Sequence, residues 1–229
     1  TVRSQLWPEA QPTYAGYLAW RGLVPENEMS EESRKWLHGH FGFANGNQSH
    51  MLGYLVPGDN NDTREGHRYY NWVWYRTAVR DRLSDIMTDQ DGRDRGFAMP
   101  EGKLSDQWRD HVYQEASDLL PPAFAETVHA TKQPFAQAIR DLVVDSMVKE
   151  RVVLLGDAAF IPRPHTAAST SKAAANSIAL AESLSGVGFD GIDAALRQWE
   201  QPQLELGRYL HAQGVRSGNY LMHHRLSTR

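Results

Sequence analysis

The chain has 229 residues, with 24 Lys and Arg against 28 Asp and Glu, and a formal net charge of −4. Its 41% apolar content and 18 glycines are ordinary for a globular protein and exclude a disordered or fibrous chain. Mild acidity without a like-charge block excludes a nucleic-acid or anionic-membrane footprint, no run of ~18 apolar residues marks a membrane span, and zero Cys excludes disulfides, thiolate nucleophiles and Cys-based zinc sites. The cytoplasm is the default compartment for such a chain.

The chain opens Thr1-Val2-Arg3-Ser4 without Met or a signal-like apolar run, as expected of a processed start or of a piece of a longer polypeptide. Tyr14–Arg21 is aromatic-rich and reads as a strand ending in a turn at Gly22. Ser30–Leu37 reads as a short helix capped by Ser30, with Glu31 and Glu32 in its first turn. His50–Val56 is a second strand closed by Pro57-Gly58, and Asp59–Gly66 is an exposed loop. Tyr69–Thr77 carries the strongest strand pattern, with β-branched and aromatic residues at nearly every place. Turn-rich links rather than helices separate these strands, which predicts a largely antiparallel sheet.

From Ser105 the period changes. Trp108, Val112, Tyr113, Ala116, Leu119 and Leu120 recur at helical spacing until Pro121-Pro122 stops them. A short helix over Ala123–His129 and a strand over Pro134–Val144 follow. Arg151–Leu155 is a short continuous apolar run, expected as a buried central strand of the kind common in parallel sheets. Thr170–Leu184 and Asp190–His211 read as long helices. The first carries Ala173, Ala174, Ile178, Ala181 and Leu184 as its apolar set; the second carries Ile192, Ala195, Leu196, Trp199 and Leu206. The expected fold class is mixed α/β, with residues 1–145 forming a sheet domain with a helical insert and 146–229 a second region ending in long helices.

The segment from Arg151 to Leu184 carries the chemistry. Gly156 permits a close backbone approach at the strand's carboxyl end, and Asp157 places an acceptor suited to polyol hydroxyls there. Ala167, Ala168 and Ser169 put little bulk before the helix start, leaving its N–H groups open to an electron-rich group. Lys172 also stands near that start, where a cation opposes the helix dipole. The same segment equally suits an ordinary strand–loop–helix crossover with Asp157 as a turn former.

Gly156-Asp157-Ala158-Ala159, Pro164, and the helix continuation Leu180, Ala181 and Leu184 resemble the second flavin motif of the FAD-dependent aromatic hydroxylases, the p-hydroxybenzoate hydroxylase-like class. That pattern is G-D-A-A-H-x-x-x-P-x-x-G-Q-G-x-N with an acidic residue following. Here Phe160 replaces His, Ala167-Ala168-Ser169 replaces Gly-Gln-Gly, Ser171 replaces Asn, and Asn176 replaces the acidic residue. The form around Arg163-Pro164-His165 and Lys172 is similar to the 2,6-dihydroxypyridine 3-hydroxylase branch, as are Asn71–Tyr75 and the stretch from Ala195 to Gly207. The resemblance extends over essentially the whole chain.

The resemblance implies an antiparallel substrate-binding sheet joined to the C-terminal part of an FAD-binding fold. It implies FAD contacts at Arg3 (the tail of a D-G-x-x-S-x-V-R motif), Gly156, Asp157, Ala158, Pro164, Ala167, Ala168, Ser169, Thr170 and Ser171. Asp157 would hold a ribityl hydroxyl, and the turn before the helix would face the flavin's pyrimidine edge. The implied reaction hydroxylates a hydroxylated aromatic or N-heteroaromatic ring, such as a dihydroxypyridine, with NAD(P)H as transient reductant and O₂, through a flavin hydroperoxide. The family's G-x-G-x-x-G half does not occur in these residues. An N-terminal FAD-binding half is therefore an expected partner, the chain by itself is expected to be inactive, and a homodimer is expected.

His165 would lie near the flavin, orienting a substrate hydroxyl or relaying a proton, unless it is a loop His bonded to backbone. His50 and Tyr54 share one strand face, and Trp72 and Trp74 share another, as candidates for the substrate pocket or for core. His38-x-His40 and His223-His224 lack the companions of a metal site, so no metal is expected. The rival reading is a non-catalytic module that binds an aromatic ligand or a partner without redox chemistry.

Overall fold

The computed structural model describes residues 1–223, with side chains to Met222, so the His223-His224 pair lies outside the described side chains. In chain order the elements are α1 (Val2–Leu6), β1 (Thr13–Pro25), α2 (Glu31–Leu37), β2 (Gly42–Gly46), β3 (Ser49–Val56), β4 (Tyr69–Thr77), α3 (Arg80–Ile86) and β5 (Ala98–Met99). Then come α4 (Asp106–Leu119), α5 (Pro122–Ala130), β6 (Phe135–Val143), β7 (Val148–Lys149), β8 (Val152–Val153), β9 (Phe160–Ile161), α6 (Ser169–Leu184) and α7 (Ile192–His223). The chain divides into a unit built on Gly16–Ile139 and a unit formed by Thr1–Ala15 with Arg140–Tyr220. Thr1–Ala15, expected with the sheet, groups instead with the C-terminal segment. Trp7 and Ala10 are buried in one cluster with Leu142, Val144, Met147 and Trp199.

The sheet unit runs in the order β2-β3-β4-β1-β6-β5. The pairs β2/β3, β3/β4, β1/β4 and β5/β6 are all antiparallel, as the turn-rich links require. β4 sits between β3 and β1 and is buried on both faces, which is why aromatic and β-branched residues fill it. Ser30 caps α2 through its hydroxyl, as read from the sequence, and Ser105 caps α4 in the same way. β1 does not stop at Gly22. It continues to Pro25, because Gly22 is a packing residue: a Cβ there would meet Thr131 at 2.5 Å and the Trp72 ring at 2.7 Å. His38 joins a buried cluster in which Glu26 accepts from both Arg68 and the Gly66 N–H, and this cluster occupies its imidazole.

In the other unit the apolar run Arg151–Leu155 is not a buried parallel strand. Val152 and Val153 form β8, half of a two-residue antiparallel ribbon with β7, and Val152 is 37% exposed. An apolar run specifies a capacity for burial but names no partner. Here Glu150, at φ 55°, turns the chain back on Val148–Lys149. The inner face of α6 also differs from the expected stripe. Lys172 and Asn176 are its buried residues, whereas Ala174, Ile178 and Ala181 are exposed.

α7 matches its expected apolar set at Ala195, Leu196 and Trp199, and it runs on to His223. Two of its glycines, seven residues apart, admit the segment that follows the Gly156 turn. A Cβ at Gly207 would lie 2.3 Å from the Phe160 ring, and one at Gly214 would lie 2.8 Å from the Arg163 N atom. Gly207→Ala is therefore expected to lower stability by about 1–3 kcal/mol through overpacking, measured as a shift in the urea midpoint.

Candidate functional site

Residues of α1 and α6 contact the Gly156-Asp157 turn directly, and α7 reaches it through Asn176. Gly156 adopts φ +56°, and a Cβ there would lie 3.0 Å from Ala173 Cβ, so the turn sits tight against α6. The Gly156 N–H donates to Asn176 Oδ1 at 3.0 Å. Asn176 Nδ2 donates in turn to Gln203 Oε1 at 2.9 Å, and Trp199 Nε1 donates to the Asn176 carbonyl at 3.1 Å. Asn176 thus ties the turn to α6 and α7, using its amide as both donor and acceptor. An acidic residue at that position offers no side-chain donor while ionised.

Asp157 is held from behind. Lys172, whose side chain is fully buried, donates to Asp157 Oδ1 at 2.9 Å and also to the Phe160 carbonyl. The Asp157 side chain is 59% exposed, which leaves the outer edge of its carboxylate open. Arg3 Nη1 reaches the other side of the turn and donates to the Ala158 carbonyl at 3.1 Å. Arg3, Gly156, Asp157 and Ala158, four of the expected cofactor residues, are thereby brought together. Sequence reading singled out Lys172 but did not foresee its pairing with Asp157. A lysine opposing the helix dipole was the available signal, and burial against a carboxylate is its physical explanation.

Pro164, His165 and Thr166 form a single 3-10 turn, with His165 part-buried. Ala167 follows at φ +51°, the left-handed region, where the resembled pattern has glycine. Ala167→Gly is expected to raise stability by about 1 kcal/mol, because glycine adopts this φ without the Cβ penalty. Thermal unfolding of the two forms checks it. α6 begins at Ser169 with Ala168 at its N-cap, and neither a side-chain cap nor an acidic residue occupies the first turn. The first intrahelical bond runs from the Lys172 N–H to the Ala168 carbonyl. The N–H groups of Ser169, Thr170 and Ser171 therefore lie at the open, positive end of the helix.

The sheet unit separates the four substrate candidates. Pairing of His50 with Tyr75 and of Tyr54 with Asn71 places these residues on one face. Trp72 and Trp74 point to the opposite face and are fully buried. Their indoles donate to Thr131 Oγ1 at 2.8 Å and Ser49 Oγ at 2.7 Å. The expectation that they line a pocket is therefore corrected: they are core residues whose polar atoms are satisfied inside it.

On the other face His50 stacks on Tyr75 with ring centroids 5.9 Å apart, and Tyr54 stacks on Phe41 at 4.7 Å. His50 Nδ1 lies 2.6 Å from Asn45 Oδ1. Burial lowers the His50 pKa below its usual 6.5 and pushes the Tyr75 hydroxyl up to about 12. The unfolded chain then binds more protons than the folded one just below pH 6.5, so stability falls as pH drops through that window. His50→Phe should flatten this fall, seen by comparing urea midpoints at about pH 7 and about pH 5.5.

Comparisons with known proteins bear on the family and the fold. The model of a family described as FAD binding domain-like matches residues 14–141. The 2,6-dihydroxypyridine 3-monooxygenase of Paenarthrobacter nicotinovorans is 31% identical over 201 residues, which cover 86% of this chain and 48% of that protein. The structure of 2,6-dihydroxypyridine-3-hydroxylase from Arthrobacter nicotinovorans is similar at a TM-score of 0.89 and 28% identity, over 98% of this chain and 56% of that one. A salicylate hydroxylase substrate complex shares the fold at a TM-score of 0.71 and 18% identity, over 96% of this chain and 52% of that one. The chain spans about half the length of the relatives it matches. With more than half of its residues under that family model, the chain belongs to the FAD binding domain-like family, and it is similar over nearly its whole length to FAD-dependent aromatic hydroxylases.

Proposed function

We propose that this chain supplies the flavin-edge contacts and the substrate sheet of an FAD-dependent monooxygenase acting on a hydroxylated aromatic or N-heteroaromatic ring. The observation that carries the proposal is the Gly156-Asp157 turn. It combines an outward carboxylate, a buried lysine behind it and an uncapped helix N-terminus beyond it. This donor set fits one end of FAD. A carboxylate accepts from a ribityl hydroxyl, and helix N–H groups favour the pyrimidine edge, which becomes negative on reduction. The tight packing of Gly156 against Ala173 fixes this turn at the head of α6, so that the carboxylate and the helix N–H groups face one ligand together.

Bound FAD, reduced by NADH or NADPH, would activate O₂ for transfer to the ring. The chain's own share is binding and orientation. Lys172 fixes Asp157 Oδ1, Arg3 holds the turn's carbonyls, and Ser169–Ser171 present their N–H groups. Ala158, Pro164, Ala167 and Ala168 shape the approach, and His165 relays a proton at the ring side of that loop. His50, Tyr54 and Tyr75 offer the aromatic face of the sheet. The unit built on Gly16–Ile139 serves the substrate, and the unit of Thr1–Ala15 with Arg140–Tyr220, Arg3 included, serves the flavin. Completion by a dinucleotide-binding half, a homodimeric state and a cytoplasmic location belong to the same proposal.

The test is absorbance and turnover. Purified protein supplied with FAD should take on a flavin band near ~450 nm. With the completing half present, it should consume O₂ and NAD(P)H when 2,6-dihydroxypyridine is added. A colourless protein that ignores FAD, alone and with that half, would instead support the binding-module reading.

A further inference from the structure

Arg21 is a polar side chain that its own unit leaves incomplete. It stands on β1 opposite Val73, and this register puts it on the same sheet face as Tyr75, His50 and Tyr54. Its guanidinium lies over the Phe135 ring at 5.3 Å, and Nη1 donates to Gln137 Oε1 at 3.2 Å. Nε is shut off from solvent and has no acceptor. A buried N–H of a charged group without an acceptor carries the desolvation cost of that donor with nothing to offset it. The arginine's charge also reaches the neighbouring Tyr75 hydroxyl, where it opposes the effect of burial.

The surroundings of that N–H select what can complete it. The Phe135 ring under the guanidinium and the stacked Tyr75–His50 pair on the same sheet face offer flat aromatic surfaces, which suit a planar ring. A guanidinium favours an anionic oxygen over a neutral one, and its fork geometry favours an oxygen in the plane of the ring. We infer that Arg21 is a specificity-determining residue, whose Nε receives the ionised ring oxygen of an acidic hydroxyaromatic or hydroxy-N-heteroaromatic substrate lying on the Tyr54–Tyr75 face. An anionic oxygen donates electron density to the ring carbons beside it, so the residue that selects the ion also selects a ring ready for oxygen transfer. The ring class rests on the function proposed above; the role of Arg21 does not depend on FAD being bound.

The test uses the 229-residue chain and two probes, 2,6-dihydroxypyridine and 2,6-dimethoxypyridine, titrated by calorimetry. The second probe keeps the ring and loses the ionisable hydroxyls. Wild-type protein should favour the dihydroxy probe about tenfold or more. Arg21→Met should abolish that preference while changing dimethoxy binding less than about twofold, with far-UV circular dichroism verifying the fold. If Arg21→Met does not fold, Arg21→Lys decides: it keeps the charge but loses the fork, so the preference should drop about threefold or more. An unchanged preference in the variant that folds, or no binding of either probe to wild type, overturns the inference. A parallel FAD titration separates the two claims. Loss of FAD binding with the Arg21 dependence intact strikes the flavin reading, whereas intact FAD binding with a neutral Arg21→Met strikes only this inference.

Discussion

Asp157→Ala is expected to weaken FAD binding by roughly 10- to 150-fold, the range of a hydrogen bond to a charged group. The structure adds a second consequence. Lys172 is fully buried, and Asp157 is the carboxylate it meets at 2.9 Å, so the alanine leaves an ammonium with only the Phe160 carbonyl as partner. Removing a partner from a fully buried pair costs about 3–5 kcal/mol, and the 59% exposure of Asp157 reduces that to about 1–2 kcal/mol. Asp157→Asn keeps an acceptor for both Lys172 and a ribityl hydroxyl, and it should recover part of each loss. Flavin fluorescence titration measures the first effect, and urea denaturation the second. Unchanged FAD affinity in Asp157→Ala would reduce this residue to a turn former.

Trp72→Ala should destabilise the sheet unit by about 3–5 kcal/mol, the usual cost of emptying a fully buried tryptophan site. The indole packs where Gly22 permits it, and its Nε1 donates to Thr131 Oγ1 within the core. Trp72→Phe retains much of the volume but loses that hydrogen bond, so it should cost less than the alanine. A residue lining a pocket would behave oppositely, with weakened substrate binding and little change in the urea midpoint. The two readings of Trp72 therefore separate in one denaturation series.

What the sequence disclosed depended on how local the governing physics was. The aromatic and β-branched content of Tyr69–Thr77 and the serine cap at Ser30 act within a few residues, and both appear as read. β2 was invisible because Gly42–Gly46 is short and glycine-flanked, and it becomes a strand only through its pairing with β3. Gly22 looked like a turn because glycine serves turns and close packing alike, and only the position of the Trp72 ring distinguishes them. The run Arg151–Leu155 named no pairing partner, so its exposure could not be foreseen.

The candidate site divides the same way. Gly156, Asp157, Ala158 and Pro164 were legible because they match a motif. The parts that long-range packing assembles were not: Lys172 behind Asp157, Asn176 between α6 and α7, and Arg21 on the sheet face. Phe160, where the pattern has His, is explained by Gly207, since its ring fills the space that a side chain on α7 would occupy. Nothing in the structure explains why Ala167 stands at a left-handed position that glycine would hold without strain.

Amide chemical shifts in ¹⁵N-labelled protein titrated with FAD test the central assignment most directly, because they register even weak binding and report its place. Saturable shifts concentrated at Gly156–Ala158 and Ala167–Lys172, and lost in Asp157→Ala, are the expected result. Shifts centred elsewhere in the chain, or none at the highest FAD concentration, would contradict it.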